Sequence, residues 1–212
     1  MTKSSGSLFV VSAPSGAGKT TLCQRLVSAD DGLRYSISYT SRPPREGEVH
    51  GRDYNFVSRP VFEEMIEQGR FVEWAEVYGN LYGTAREEVE GPINAGFDLL
   101  FDVDIQGGRK IKAAFSEAVL IFVAPPSLNE LANRLKRRNK DSEEILQMRL
   151  KESKEELQAV WHYDYVVVND QFEEALERMK AIITAERCRV VRRRNVVETL
   201  LQQPIPSLED AE

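Results

Sequence analysis

Cysteine is scarce here, with two residues in 212. Cys23 and Cys188 stand far apart and match no metal-ligand spacing, which excludes a disulfide scaffold or a thiolate metal centre as the organising principle. Both are expected to be small packing residues. Long hydrophobic runs are also missing: no apolar stretch approaches the roughly 18 residues that span a bilayer, and the apolar run near the N-terminus is too short for a secretory signal. The expectation is a soluble cytoplasmic protein without a membrane partner. An excess of positive charge is lacking too. The formal net charge is −6, whereas duplex recognition needs a basic face, so nucleic acid is not an expected partner. No repeat and no low-complexity tract is visible.

The remaining composition, 42% hydrophobic against 29% charged, suffices for one sizeable core. Short apolar runs at Leu8 to Val11, Asp98 to Val103, Val119 to Val123 and Tyr165 to Val168 alternate with amphipathic segments. That alternation predicts an α/β fold with a mostly parallel sheet wrapped by helices. Two regions interrupt it. From Tyr35 to about Gly96 the text is rich in Gly, Pro, Tyr, Arg and Glu and reads as short strands and turns. From Pro125 a helix pair is expected, joined near Arg138 to Asp141, with Ser127/Glu130 and Asp141/Glu144 as capping boxes. One C-terminal helix is expected over about Phe172 to Thr199, its arginines forming a solvated face.

The most specific motif is Ala13-Pro14-Ser15-Gly16-Ala17-Gly18-Lys19-Thr20, entered by the strand LFVV and left by the helix TTLCQRLV. Glycines let the backbone curl around an anion, successive N–H groups and a helix N-terminus point inward, and Lys19 reaches the outer phosphates of a nucleoside triphosphate. Thr20 places a hydroxyl on Mg2+. The motif does not name the phosphate acceptor.

Candidates for the acceptor side follow in the next segment. Arg42 and Arg45 flank two prolines, and with the hydroxyls of Tyr54 and Tyr82 they suit a dianionic phosphate. Glu73 precedes Tyr82 and Thr84. Asp102 and Asp104 close the strand LLFDVD at the end where ligands bind in open α/β sheets, and one of them could hold Mg2+ through water, Asp102 being preferred.

Taken together, VSAPSGAGKTTL, SYTSRPPREGEVHGRDYNF, FVEWAEVYGNLYGT, LLFDVDIQGG, APPSLNELANRLKRR and DYVVVND resemble the guanylate kinase family over about Leu8 to Arg187. The resemblance implies a three-layer phosphate-loop kinase core with a parallel sheet, a small mixed α/β monophosphate-binding insertion and a helical lid. The implied division is a core at 1–34, 97–126 and 161–200, a GMP-binding region at 35–96, a lid at 127–160 and a flexible tail at 201–212. ATP and GMP are the implied substrates, Mg2+ the implied cofactor, and transfer of the γ-phosphoryl group the implied reaction. ATP falls to Ala13 through Thr21, Thr21 included, with Asn169 near the adenine. The GMP phosphate falls to Arg42, Arg45, Tyr54 and Tyr82, and the guanine to Ser38, Glu73, Thr84 and Asp104. Arg134, Arg138 and Arg149 are the lid arginines, acting in catalysis with Lys19 and Arg42. Positioning and charge stabilisation carry such a transfer, so His50 and His162 are expected to be surface or packing residues. Two other readings stay open: a ribose-phosphate kinase on the same scaffold and a catalytically weak protein-binding module.

Overall fold

The computed structural model describes residues 6–77, 79–138 and 143–204; of Val77 and Arg138 only the backbone is described. In chain order the elements are β1 (Leu8–Ser12), α1 (Lys19–Ser28), β2 (Leu33–Tyr35), β3 (Tyr39–Thr40), β4 (Asn55–Phe56), α2 (Arg59–Glu67), β5 (Phe71–Val77), β6 (Asn80–Ala85), α3 (Arg86–Asn94), β7 (Asp98–Asp102), α4 (Ile105–Ala114), β8 (Val119–Ala124), α5 (Leu128–Arg138), α6 (Glu143–Leu157), a 3-10 turn (Gln158–His162), β9 (Tyr165–Val168), α7 (Phe172–Arg187) and α8 (Val190–Leu201). Two sheets result, ordered β2-β7-β1-β8-β9 and β4-β3-β6-β5.

The first sheet is parallel throughout. Its central strands read as unbroken apolar runs because helices cover both faces, and every residue of β1 is buried. On one face Phe9, Val11, Ile121 and Val123 pack against Leu22, Cys23 and Leu26 of α1 and Leu176, Met179 and Ile183 of α7. On the other, Val10, Leu99, Phe101 and Leu120 meet Val89 of α3 and Ile111 of α4. The four strands recognised from the text are present as β1, β7, β8 and β9. Parallel strands end on one edge of the sheet, so the turn after β1 and the acidic end of β7 share that edge.

The segment after β2 builds the second sheet around Phe62, Met65, Phe71 and Leu81. Strands and turns alone do not describe it: α2 and α3 are helices. Pro60 at the start of α2 supplies a fixed φ, and Phe62 and Met65 place one buried face three residues apart. After β8 the helix pair α5 and α6 forms with its own small core of Leu131, Leu135 and Leu146. Ser127 caps α5 by accepting the Glu130 N–H at 3.1 Å. The Glu130 carboxylate does not complete a capping box; it accepts from Arg134 at 2.9 Å. The proposed box at Asp141/Glu144 and the junction at 139–142 lie outside the described residues.

The C-terminal helix is two helices. The apolar stripe of Ala175, Leu176, Met179 and Ile183 stops at Arg187, Arg189 turns to an extended ψ of 139°, and α8 buries none of its residues. Its arginines are not all solvated either. Arg187 donates to Asp98 at 2.6 Å and to Asp30 at 2.8 Å, tying the end of α7 to β7 and to the turn after α1. Cys188 is likewise exposed rather than packed, while Cys23 is buried. His50 and His162 both lie on the surface.

Candidate active site

The loop from Ala13 to Gly18 leaves β1 and closes on itself through the Ala17 N–H to the Pro14 carbonyl, 3.1 Å. Gly16 and Gly18 adopt φ of 89° and 90°, a region costly for side chains. A Cβ on Gly18 would lie 2.4 Å from the Asn169 amide nitrogen, and one on Gly16 would lie 2.9 Å from Leu135 of α5. Gly18 is also the N-cap of α1 and brings no side-chain cap, so the first N–H groups of the helix stay available to an anion. Asn169, buried at the end of β9, donates to the Ala17 carbonyl at 2.7 Å, and its own carbonyl accepts from Arg134 at 3.0 Å. Asn169 thus braces the loop from behind, a contact that its expected place near the adenine did not foretell.

Lys19 opens α1 and turns toward the end of β7. Its ammonium lies 2.5 Å from Asp102 and donates to the Val103 carbonyl at 2.8 Å. The other Asp102 oxygen accepts from the Tyr35 hydroxyl at 2.7 Å. Burial pushes the Asp102 carboxyl up, but the Lys19 charge and the hydrogen bonds from Lys19, Tyr35 and Thr20 outweigh it and hold the group below the ordinary range. Burial and the Asp102 charge raise the Tyr35 hydroxyl, which stays a donor. Ser15, Thr20 and Thr21 are exposed.

A cavity of about 840 Å³ runs from Lys19 and Thr20 past Tyr35, Ser38, Glu48 and Tyr54. Through Ser38, Tyr54 and Asp102 it adjoins a second of about 430 Å³, lined by Glu73, Tyr82, Asp104 and Lys110. At the junction Arg42 lies 5.6 Å from the ring centre of Tyr54 and 5.7 Å from that of Phe56, and Tyr54 and Tyr82 meet edge to face at 6.0 Å. Arg42 grips Glu48 with two parallel bonds of 3.0 and 2.8 Å, and the Arg45 backbone N–H donates to the same carboxylate at 2.6 Å. The Arg42 hydrogen bonds, with that of Arg45, hold Glu48 below the usual carboxylate range. Glu48 is a participant that the sequence reading missed. Its signal was present in RPPREGE, an acid three residues beyond a stiffened arginine pair.

Glu73 sits on β5 opposite Thr84 of β6, and the antiparallel register makes them cross-strand partners. The buried Thr84 hydroxyl donates to Glu73 Oε1 at 2.9 Å. Burial lifts the Glu73 carboxyl above its ordinary range, and the Thr84 hydrogen bond and the Lys110 charge pull it part of the way back. Asp104 caps α4, one oxygen accepting the Gly107 N–H at 2.7 Å. Ser38, Tyr54, Glu73, Tyr82 and Asp104 therefore share one cavity wall. Arg134 lies beside the loop through Asn169, and Arg149 is half-buried on α6. The Arg138 side chain lies outside the described residues.

A glycine-rich loop with free helix N–H groups stands at one end of this cleft, and a half-buried carboxylate oriented by Thr84 stands at the other. The family model described as guanylate kinase matches residues 5–186. The chain belongs to the guanylate kinase family. Among curated relatives, guanylate kinase of Geobacter metallireducens is 46% identical, covering 95% of this chain and 98% of that protein. Guanylate kinase of Rhodopseudomonas palustris is 50% identical over 85% of this chain and 83% of its own. The crystal structure of guanylate kinase from Anaplasma phagocytophilum superposes with a TM-score of 0.75 at 33% identity, covering 98% of this chain and all of that one. The fold class expected of the sequence is thereby established for the chain.

Proposed function

We propose that this cleft carries the reaction of the family, with the roles divided as follows. The chain is an ATP:GMP phosphotransferase: it moves the γ-phosphoryl group of ATP onto the phosphate of GMP, leaving ADP and GDP. The observation that carries the assignment of the base is the half-buried Glu73 carboxylate, oriented by Thr84 in the second cavity. A carboxylate accepts from both the N1–H and the 2-amino group of guanine, whereas adenine presents a lone pair at N1 and no 2-amino group. Adenine would cover this carboxylate and leave its charge unpaired, the kind of mismatch that sites built on hydrogen bonds reject by about 10⁴ or more. Ser38 and Asp104 complete the base-reading set.

The GMP phosphate lies against Arg42, Arg45, Tyr54 and Tyr82. Arg42 is already held in a two-pronged geometry by Glu48, and a phosphate dianion offers the same pair of acceptors. Its oxygen is ionised near neutral pH, so no general base is required. On the donor side the N–H groups of Ser15 to Thr20 receive the ATP phosphates, and Lys19 turns from Asp102 toward the γ-phosphoryl group. Arg134, Arg138 and Arg149 close over the phosphates from the helix pair, and Asn169 stands beside the adenine.

The Thr20 hydroxyl and the Asp102 carboxylate are hard oxygen donors that fit Mg2+, Thr20 directly and Asp102 through water. Among the described residues no group of three His, Cys, Asp or Glu could hold a metal, which suits an ion held largely by nucleotide phosphates. When bound, the ion supplies neutralisation of charge spread over the migrating group.

Glu73→Gln tests the base assignment. The amide turns one acceptor into a donor, so kcat/KM for GMP is expected to fall about 10- to 100-fold and the preference over AMP to narrow. Unchanged GMP kinetics would remove Glu73 from the role.

A further inference from the structure

The base cavity has an uneven charge balance. Glu73, Glu76, Asp102 and Asp104 line it, and Lys110 of α4 is the one cationic side chain among its described lining residues. Two of the four acids are compensated elsewhere: Asp102 by Lys19 at 2.5 Å and Glu76 by Arg59 at 3.2 Å. The partners of Glu73 and Asp104 are neutral, the Thr84 hydroxyl and the Gly107 N–H. Of the two, Glu73 is the acid that must stay ionised for a guanine, because a protonated carboxyl would point an O–H donor at the donors of the base.

Lys110 is fixed where it can help. Its ammonium donates to the Trp74 carbonyl at 2.7 Å, next in sequence to Glu73 on the edge strand of the second sheet. We infer that Lys110 is a positioning residue for guanine selection: anchored on the Trp74 carbonyl, its ammonium keeps Glu73 a charged acceptor across the cavity. The inference rests on the assignment of Glu73 to the base.

Among the described residues, these charged and polar groups face Glu73. From β6 come the hydroxyls of Thr84 and Tyr82. From the end of β7 and from α4 come Asp102, Asp104 and Lys110, while Glu76 shares the strand and Tyr54 closes the far side. Burial raises the Glu73 carboxyl and Asp104 adds to the rise, while Lys110 opposes both. Removing Lys110 therefore lets Glu73 take up its proton at a higher pH. The acid limb of kcat/KM for GMP moves upward, and activity at mildly acidic pH drops. Lys110 is exposed to solvent, so the effect is modest, about three- to tenfold near the limb, and it shrinks as salt rises.

The test compares kcat/KM for GMP across pH and ionic strength in wild type, Lys110→Arg, Lys110→Gln and Lys110→Met, with thermal unfolding confirming that each variant folds. The expected result is a wild-type profile for Arg, an upward-shifted acid limb and a higher KM for GMP for both Gln and Met, and an unmoved KM for ATP. A wild-type profile in Gln would make Lys110 a hydrogen-bonding tie alone and overturn the inference, as would a wild-type profile in Met. Glu73→Gln is measured alongside. If it too retains wild-type GMP kinetics, the base assignment itself fails. If it loses GMP turnover while the Lys110 variants stay unmoved, only the inference about Lys110 fails.

Discussion

Glu73 holds a charge where burial opposes one, and this gives the residue a cost as well as a use. Its folded carboxyl titrates above the unfolded one, chiefly through burial. The protonated form is therefore favoured by folding, and the associated stability is present at low pH and lost as pH rises through the raised value. Glu73→Gln removes that loss. The nucleotide-free variant is expected to melt above wild type at pH 8 and close to it at pH 4, by calorimetry, while turning over GMP poorly. A melting point below wild type at pH 8 would show that the carboxylate is better satisfied than its surroundings indicate. Lys19 carries the opposite expectation. Lys19→Ala should cost phosphoryl transfer on the order of a thousandfold or more, since the cation proposed to face the migrating group is lost. The two cysteines separate in the same way: burial raises the Cys23 thiol and hides it, whereas Cys188 is exposed. A thiol reagent should label one cysteine per native chain and two after unfolding.

Among the elements, the turn between β1 and α1 is the most constrained. Positive φ at Gly18 and the nearness of Asn169 both exclude a side chain, so Gly18→Ala is expected to destabilise by about 2 kcal/mol or more and to weaken ATP binding. Urea unfolding would measure the first and nucleotide titration the second. Arg187 is the comparable tie at the other end of the sheet. Asp98 is nearly buried, so Arg187→Met leaves a carboxylate with its cation removed and should cost about 2 kcal/mol. Loss of less than about half a kcal/mol would mean that the pair is too wet to matter. These elements also show what was legible in the text. Short, unbroken apolar runs announced β1, β7 and β8, because a strand covered on both faces needs no polar alternation, and β9 read the same way although Val166 and Val168 are exposed. β2, three residues long, was too short to carry a pattern. α2 and α3 were obscured by neighbouring glycines, tyrosines and charges, since their single-sided burial rests on Phe62 and Met65 in the first and on Val89 in the second. The break before α8 was invisible because helix-forming residues continue through it, and only the end of core contact after Ile183 marks it.

Across the whole molecule, the site is assembled from residues far apart in the chain, and the motifs told which residues but not how they touch. Tyr35 on Asp102, Asn169 on the phosphate loop and Glu48 on Arg42 are long-range or loop-mediated contacts that spacing does not encode. The same assembly sets an expectation for motion. Leu131 and Leu135 of α5 already lie against Gly16, so the helix pair has an apolar seat on the loop that arginines could follow during closure. Small-angle scattering should show a smaller radius of gyration with GMP and a non-hydrolysable ATP analogue than with neither. An identical radius would argue against closure of the helix pair. The central claim is that one cleft joins a triphosphate donor to a guanine monophosphate acceptor. It is tested most directly by coupled ADP release from ATP with GMP, dGMP, AMP, UMP or a ribose phosphate as acceptor. Turnover with GMP exceeding that with AMP or UMP by several orders of magnitude in kcat/KM is the predicted result, and comparable or better turnover of any acceptor without guanine would contradict it.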